Sequence, residues 1–76
     1  MLLKQIRLQK ELTQSQVANI LDITIRHYQH IESGDRKPSY KKLNKLEDIF
    51  GLPQRVLLAR SVEEVPEIYK DFIKNL

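Results

Sequence analysis

The chain has 76 residues, which is enough for one small domain with a single modest core. It has no cysteine, which excludes disulfide frameworks and thiolate metal sites, and no apolar run approaches the roughly 20 residues of a membrane-spanning helix. Charged residues interrupt the first segment too early for the apolar core of a signal peptide. We therefore expect a soluble protein of the cytoplasm that makes no membrane contact.

The net charge of +3 is unevenly distributed along the chain. Residues 1–42 carry eight Lys/Arg and four Asp/Glu, a balance of +4, whereas residues 43–76 carry five and six, a balance of −1. A basic first half joined to a nearly neutral second half favours a face that meets polyanions. Scattered solubilising lysines would explain the same charge balance equally well.

Apolar spacing predicts a first helix that ends near Lys10 and a second that begins after Thr13. The Thr13 hydroxyl can accept a hydrogen bond from the Gln16 N–H while the Gln16 side chain reaches back, as in a capping box. The second helix is expected to end near Asp22, because aspartate is among the few residue types that tolerate the left-handed conformation of a sharp turn.

A third helix is predicted over residues 25–33, with Thr24 as its N-cap. Its β-branched residues would also suit a strand, but the apolar positions do not alternate, and Gly34 ends a segment of helical length. Tyr28 and Ile31 lie three apart and are expected to face inward. The outer face is then formed by Ile25, Arg26, Gln29 and His30.

The second half continues the helical pattern. Ser39 is expected to cap a fourth helix that ends at Gly51, and Pro53 suits the first turn of a short fifth helix. Residues 61–65 are interpreted as a linker before a last helix, whose apolar stripe consists of Ile68, Tyr69, Phe72, Ile73 and Leu76. No strand is predicted, so the fold class is all-α, with a domain over residues 1–60 and a linker with a C-terminal helix over residues 61–76.

Two short helices joined by a tight turn form the arrangement of a helix-turn-helix. Further motifs accompany it in a specific order: Ile6-Arg7, Leu12-Thr13-Gln14, Val17-Ala18, Leu21-Asp22-Ile23-Thr24, Tyr28, Ile31-Glu32-Ser33-Gly34, Pro38-Ser39 and Leu46…Phe50-Gly51-Leu52. In this order and spacing, residues 3–58 resemble the Cro/phage-repressor helix-turn-helix family, often called XRE-type. The resemblance implies a five-helix lambda-repressor-like domain, here with an additional C-terminal helix.

The resemblance also implies an internal ion pair. In this family an arginine of the first helix pairs with a glutamate that ends the recognition helix, and the matching positions are Arg7 and Glu32. A bidentate pair would tie these two helices together. The alternative is that both side chains are solvated.

Three positions depart from the family pattern. The family often has glycine at the positions of Glu11 and Asp22. Glutamate is the poorer left-handed residue, so the first turn is expected to be looser or differently wound. Tyr28 replaces a residue that is usually aliphatic, and its hydroxyl therefore needs a partner or an exit to solvent.

The family docks its third helix in the major groove of DNA. Carried over by position, base reading falls to Ile25, Arg26, Gln29 and His30. Arg26 can donate two hydrogen bonds to guanine, Gln29 can pair with adenine, and Ile25 can pack on a thymine methyl. His30 can donate to a guanine or a phosphate. The alternative for each is a solvated helix face.

Phosphate contacts are expected on both sides of this helix. Near the helix N-termini, where free N–H groups favour anions, the candidates are Gln14, Thr24 and His27. On the far side the candidates are Arg36, Lys37, Lys41 and Lys42. Such contacts set the register of the protein on DNA but carry little sequence information.

Other chemistries find less support. His27 and His30 are spaced like two ligands of one metal ion, but no third ligand is near, so no metal or other cofactor is expected. No glycine-rich phosphate loop or serine, histidine and acid constellation is present, so we do not expect an enzyme. A protein-interaction module or antitoxin-type helix-turn-helix protein, whose main surface binds a partner protein, remains the alternative.

The sequence therefore predicts a small Cro-like repressor, encoded by a bacterium or a phage. It would bind double-stranded DNA at a palindromic operator, without a small-molecule ligand. One recognition helix covers only a few base pairs, so a homodimer is expected. The C-terminal stripe either packs on its own domain or forms the dimer seam.

Overall fold

The computed structural model describes residues 1–73, which contain five α-helices followed by two 3-10 helices and no strand. The α-helices are α1 (Leu3–Gln9), α2 (Gln14–Ile20), α3 (Ile25–Ser33), α4 (Tyr40–Phe50) and α5 (Gln54–Leu57). The 3-10 helices are η1 (Val62–Glu64) and η2 (Glu67–Phe72). The all-α prediction is confirmed, as are the positions of the first five helices. None of the helices in the described part of the chain is long and apolar enough to cross a membrane.

Side-chain caps fix the beginnings of the three central helices. Thr13 accepts from the Gln16 N–H at 3.0 Å, and Gln16 Oε1 accepts in return from the Thr13 N–H at 2.8 Å, which confirms the predicted capping box. Thr24 accepts from the N–H of residue 27, and Ser39 accepts from the N–H of residue 42. Each cap satisfies a backbone donor that the helix itself leaves free.

Left-handed residues form the turns between these helices. Asp22 has φ 56° and Glu11 has φ 57°, while Gly34 at the end of α3 has φ 89°. The first turn is therefore wound as glycine would wind it, and the expectation of a looser or different turn is wrong. Hydrogen bonds hold the turn, because the Leu12 N–H donates to the Arg7 carbonyl at 3.2 Å and Arg7 Nη1 donates to the Leu12 carbonyl at 2.8 Å.

The core lies beneath α1, α2 and α3 and is closed by α4, α5 and the C-terminal segment. Its fully buried side chains include Leu3, Ile6, Val17, Leu21, Tyr28, Ile31, Leu46, Val56, Leu57 and Ile73. Ala18 is also buried, on the inner face of α2. Burying a large aliphatic side chain contributes about 1.5–3 kcal/mol, so a core of this size can hold three short helices in place.

The C-terminal segment differs from its prediction. Residues 67–72 form a 3-10 helix and not an α-helix, and the predicted linker is packed, since it contains η1 and buries Val65. A 3-10 helix has three residues per turn, so the spacing of an α-helical stripe does not keep one face. The stripe is accordingly divided: Ile73 is buried and Tyr69 half-buried, whereas Ile68 and Phe72 are 74% and 67% exposed. Leu76, the last member of the predicted stripe, lies outside the described residues.

Candidate nucleic-acid interface

The outer surface of α3 carries the four residues predicted to read bases. Ile25, Arg26 and Gln29 are exposed and His30 is half-buried, while Tyr28 and the two residues that follow His30 face the core. This division follows from the helical repeat, because apolar residues recur on one side and polar residues on the other. The structure brings the four residues onto one face of a helix.

Arg7 and Glu32 form a bidentate ion pair beneath this helix. Arg7 Nε donates to Glu32 Oε2 at 2.9 Å and Arg7 Nη2 donates to Glu32 Oε1 at 3.0 Å. Their side chains are only 7% and 4% exposed, and no other charged residue among residues 1–73 is buried. Burial would raise the pKa of Glu32, but hydrogen bonds from Arg7 bring that pKa below its usual value, and the same bonds raise the pKa of Arg7. Both groups are therefore charged at neutral pH and join α1 to α3.

The Tyr28 hydroxyl lies beside this ion pair. Tyr28 is fully buried, and its oxygen has no hydrogen-bond partner among residues 1–73. Burial raises the pKa of this hydroxyl, and the neighbouring Glu32 carboxylate raises it further. The sequence predicts a partner or an exit to solvent for this hydroxyl, and the described residues provide neither. The aromatic ring fills the core while its hydroxyl remains unpaired.

Gln14 lies between the ion pair and the outer face of α3. Its Nε2 donates to Glu32 Oε1 at 3.3 Å, and its Oε1 accepts from Gln29 Nε2 at 3.2 Å. The Gln29 amide is thereby oriented. Its carbonyl oxygen and its second N–H are not used by this bond, and they match the N6 donor and the N7 acceptor of adenine. The sequence predicts a phosphate contact for Gln14 and gives no sign of this bridge, because no local signal connects residues 15 positions apart.

The opposite side of α3 borders an open depression. Thr24, Arg26, His27, His30 and Arg36 line it. Asp35, in the following loop, places a carboxylate oxygen 3.5 Å from His30 Nδ1. The outer face of α3 is thus divided into one side next to Gln14 and one cationic side next to the loop. No group of three or more metal-ligating His, Cys, Asp or Glu side chains occurs within residues 1–73.

The predicted phosphate-contacting residues lie in different surroundings. Lys37 and Lys41 are exposed, and the Thr24 hydroxyl caps α3. Lys42 is half-buried, and its Nζ donates to the Leu21 carbonyl at the end of α2. This bond ties α4 to the turn between α2 and α3. The local sequence does not reveal this contact of Lys42, because its partner lies 21 positions away.

Comparison with known proteins agrees with this geometry. A family model described as helix-turn-helix, of the Cro and phage-repressor type, matches residues 3–53, which is more than half of the chain. No curated protein and no solved structure matches the chain. The family consists of DNA-binding regulators. The chain therefore belongs to the XRE-type helix-turn-helix family and is a DNA-binding helix-turn-helix regulator.

Proposed function

We propose that the protein is a small Cro-like repressor that places α3 in the major groove of a palindromic operator and binds there as a homodimer. The observation that carries this proposal is the outer face of α3. Polar and β-branched side chains project there from a helix that is capped by Thr24 and anchored by the Arg7–Glu32 ion pair. Groups held in this way need little reordering when they meet base edges.

The two sides of the outer face of α3 would recognise different bases. On the side next to Gln14, Gln29 would pair with an adenine and Ile25 would pack on a thymine methyl. On the cationic side, Arg26 would donate to guanine O6 and N7, and His30 would donate to a guanine or a phosphate. A good bidentate pair provides about 1–3 kcal/mol of discrimination. Arg26 is therefore expected to be the strongest specificity residue.

Phosphate contacts would surround this surface. Lys37 and Lys41 are exposed beyond the end of α3, and Gln14, Thr24 and His27 lie at the N-terminal ends of α2 and α3. The balance of +4 in residues 1–42 supports the same orientation, since the first half carries the excess of positive charge. Binding should consequently weaken steeply as salt concentration rises.

Dimerisation is proposed to involve the C-terminal segment. Ile68 and Phe72 are 74% and 67% exposed although they are large and apolar. Large apolar side chains left exposed on one short segment are common where a second subunit covers them. A two-fold pair would present two α3 helices about one turn of DNA apart, which matches a palindromic site. Regulation by concentration in a bacterial cell would then follow from the dimer equilibrium.

Selection of bound sequences from random duplex DNA tests the proposal. The native chain should enrich a palindromic site, and Arg26→Ala should lose preference at one position in each half. Arg60→Ala is the matched control, because it removes one positive charge from an exposed residue that does not lie on α3. A native chain that enriches no sequence would contradict the proposal.

The exposed pair Ile68 and Phe72 also supports a second candidate function. In an antitoxin-type helix-turn-helix protein, the same apolar surface would bind a partner protein of a different kind. Sedimentation equilibrium separates the two, since a repressor dimer should form from the purified chain alone. A monomer at high concentration, together with no enriched DNA site, would favour this second candidate.

A further inference from the structure

We propose that Arg36, in the loop between α3 and α4, reads a base edge in the major groove together with Arg26. This inference rests on the proposed function, because it names a further specificity-determining residue of the same DNA-binding face. The sequence predicts a phosphate contact for Arg36. Two structural observations favour a base contact.

The first observation is the path of the loop. Gly34 adopts φ 89° and turns the chain back, so that the Arg36 N–H donates to the His30 carbonyl at 3.1 Å. Ser33 Oγ donates to the same carbonyl, also at 3.1 Å. The backbone of Arg36 is therefore bonded to the last turn of α3 and does not project away from it. An arginine held at this position moves with the recognition helix.

The second observation is the depression beside α3. Arg36 lines it together with Thr24 and Arg26 from the first turn and His30 from the last turn. Gln29 and Ile25 do not line it. Arg36 therefore lines the same depression as Arg26, a proposed base-reading residue. Its neighbour Lys37 is exposed and does not line the depression.

The chemistry of the depression suits guanine. Two guanidinium groups and two imidazoles border it, with the Asp35 carboxylate, 3.5 Å from His30 Nδ1, as the acidic group beside it. The two guanidinium groups carry like charges, so an electronegative surface placed between them is favoured. Guanine presents O6 and N7 as acceptors in the major groove, and the planar fork of arginine matches that pair of acceptors. We therefore expect two guanines close together in each half-site, one for each arginine.

A charge-matched pair of variants tests this assignment. Sequences are selected from random duplex DNA by the full native chain, by Arg36→Gln and by Lys37→Gln. The affinity for the selected site and for its single-base variants is then measured over a range of salt concentrations. Both substitutions remove one positive charge, so both should lower the slope of log affinity against log salt by about one.

Only Arg36→Gln should alter base preference. We expect it to lose discrimination at one guanine in each half-site by about tenfold, while the Lys37→Gln chain selects the native sequence. If Arg36→Gln also selects the native sequence and changes only the salt slope, Arg36 contacts a phosphate and the inference is overturned. Thermal melting of each variant checks the fold, and no change is expected because both side chains are exposed.

The failure of the inference is distinguishable from the failure of the proposed function. A native chain that enriches no sequence overturns both. A native chain that enriches a site whose preferences survive Arg36→Gln overturns the inference alone.

Discussion

Helix α3 and the C-terminal helix η2 both expose large side chains, but their backbones are held in different ways. In α3, Tyr28 and Ile31 are fully buried and Glu32 is bonded to Arg7, so the inner face determines where the outer face points. In η2 no residue is fully buried: Tyr69 packs against the core while partly exposed, and the following residue, Ile73, is buried there. A surface fixed from beneath suits directional polar contacts, whereas a surface held mainly by apolar packing suits a contact that is itself apolar.

Removal of Glu32 should weaken α3 most. Glu32→Ala leaves the Arg7 guanidinium buried without its partner, and we expect the free energy of unfolding to fall by about 3–5 kcal/mol. Such a loss is a large part of the stability of a small domain. Urea denaturation followed by circular dichroism measures it.

An apolar replacement of both partners provides the control. The double variant Arg7→Met with Glu32→Leu removes both charges, and it should recover most of the lost stability. If Glu32→Ala unfolded at the same urea concentration as the native chain, the ion pair would not be what holds α3 in place.

The same pair should make stability depend on pH. Its hydrogen bonds hold the folded-state pKa of Glu32 below the ordinary value of 4.5, even though burial acts in the opposite direction. The ionised carboxylate therefore stabilises the protein above that value, and the stabilisation is lost as the pH falls through the folded-state pKa. The urea midpoint of the native chain should drop on acidification below about pH 4.5, and that of Glu32→Gln should drop less. Equal acid profiles would contradict this account.

Phe72 and Ile73, at the end of η2, test how the C-terminal segment is held on the domain. Ile73→Ala should lower the free energy of unfolding by about 2 kcal/mol, because Ile73 is only 1% exposed. Phe72→Ser should change it by no more than about 0.5 kcal/mol, because Phe72 is 67% exposed. Phe72→Ser should instead weaken self-association, as measured by sedimentation equilibrium. A destabilised Phe72→Ser monomer would show that this ring belongs to the core.

Only a small effect on stability is expected at Tyr28. Tyr28→Phe removes a buried hydroxyl that has no partner among the described residues, so the variant should be as stable as the native chain or up to about 1 kcal/mol more stable. Urea denaturation checks this expectation as well. A loss of more than about 1 kcal/mol would indicate that the hydroxyl is bonded to the neighbouring ion pair in solution.

Local signals account for the part of the fold that the sequence predicts well. Thr13 and Gln16 form a capping box within four consecutive residues, Thr24 caps its own helix, and Gly34 ends it. Each of these features depends on neighbours in the chain and so can be recognised from the letters alone. The outer face of α3 follows directly from the two ends of that helix.

Contacts between distant residues account for what the sequence does not predict. The Gln14 bridge to Gln29 and the bond from Lys42 to the Leu21 carbonyl join different helices through flexible polar side chains. Many partners are chemically equivalent for such groups until the backbone is in place. The prediction of a continuous C-terminal stripe is wrong for another reason: its apolar spacing fits an α-helix, while the backbone forms a 3-10 helix.

The left-handed conformation of Glu11 affects which substitutions the protein can tolerate during evolution. A side chain in that conformation costs about 1 kcal/mol, which glycine would not incur. Glu11 is not among the residues proposed to contact DNA. A glycine there could compensate for a destabilising substitution on the outer face of α3, so Glu11→Gly would offset the stability cost of changes in DNA preference without a second change on that face.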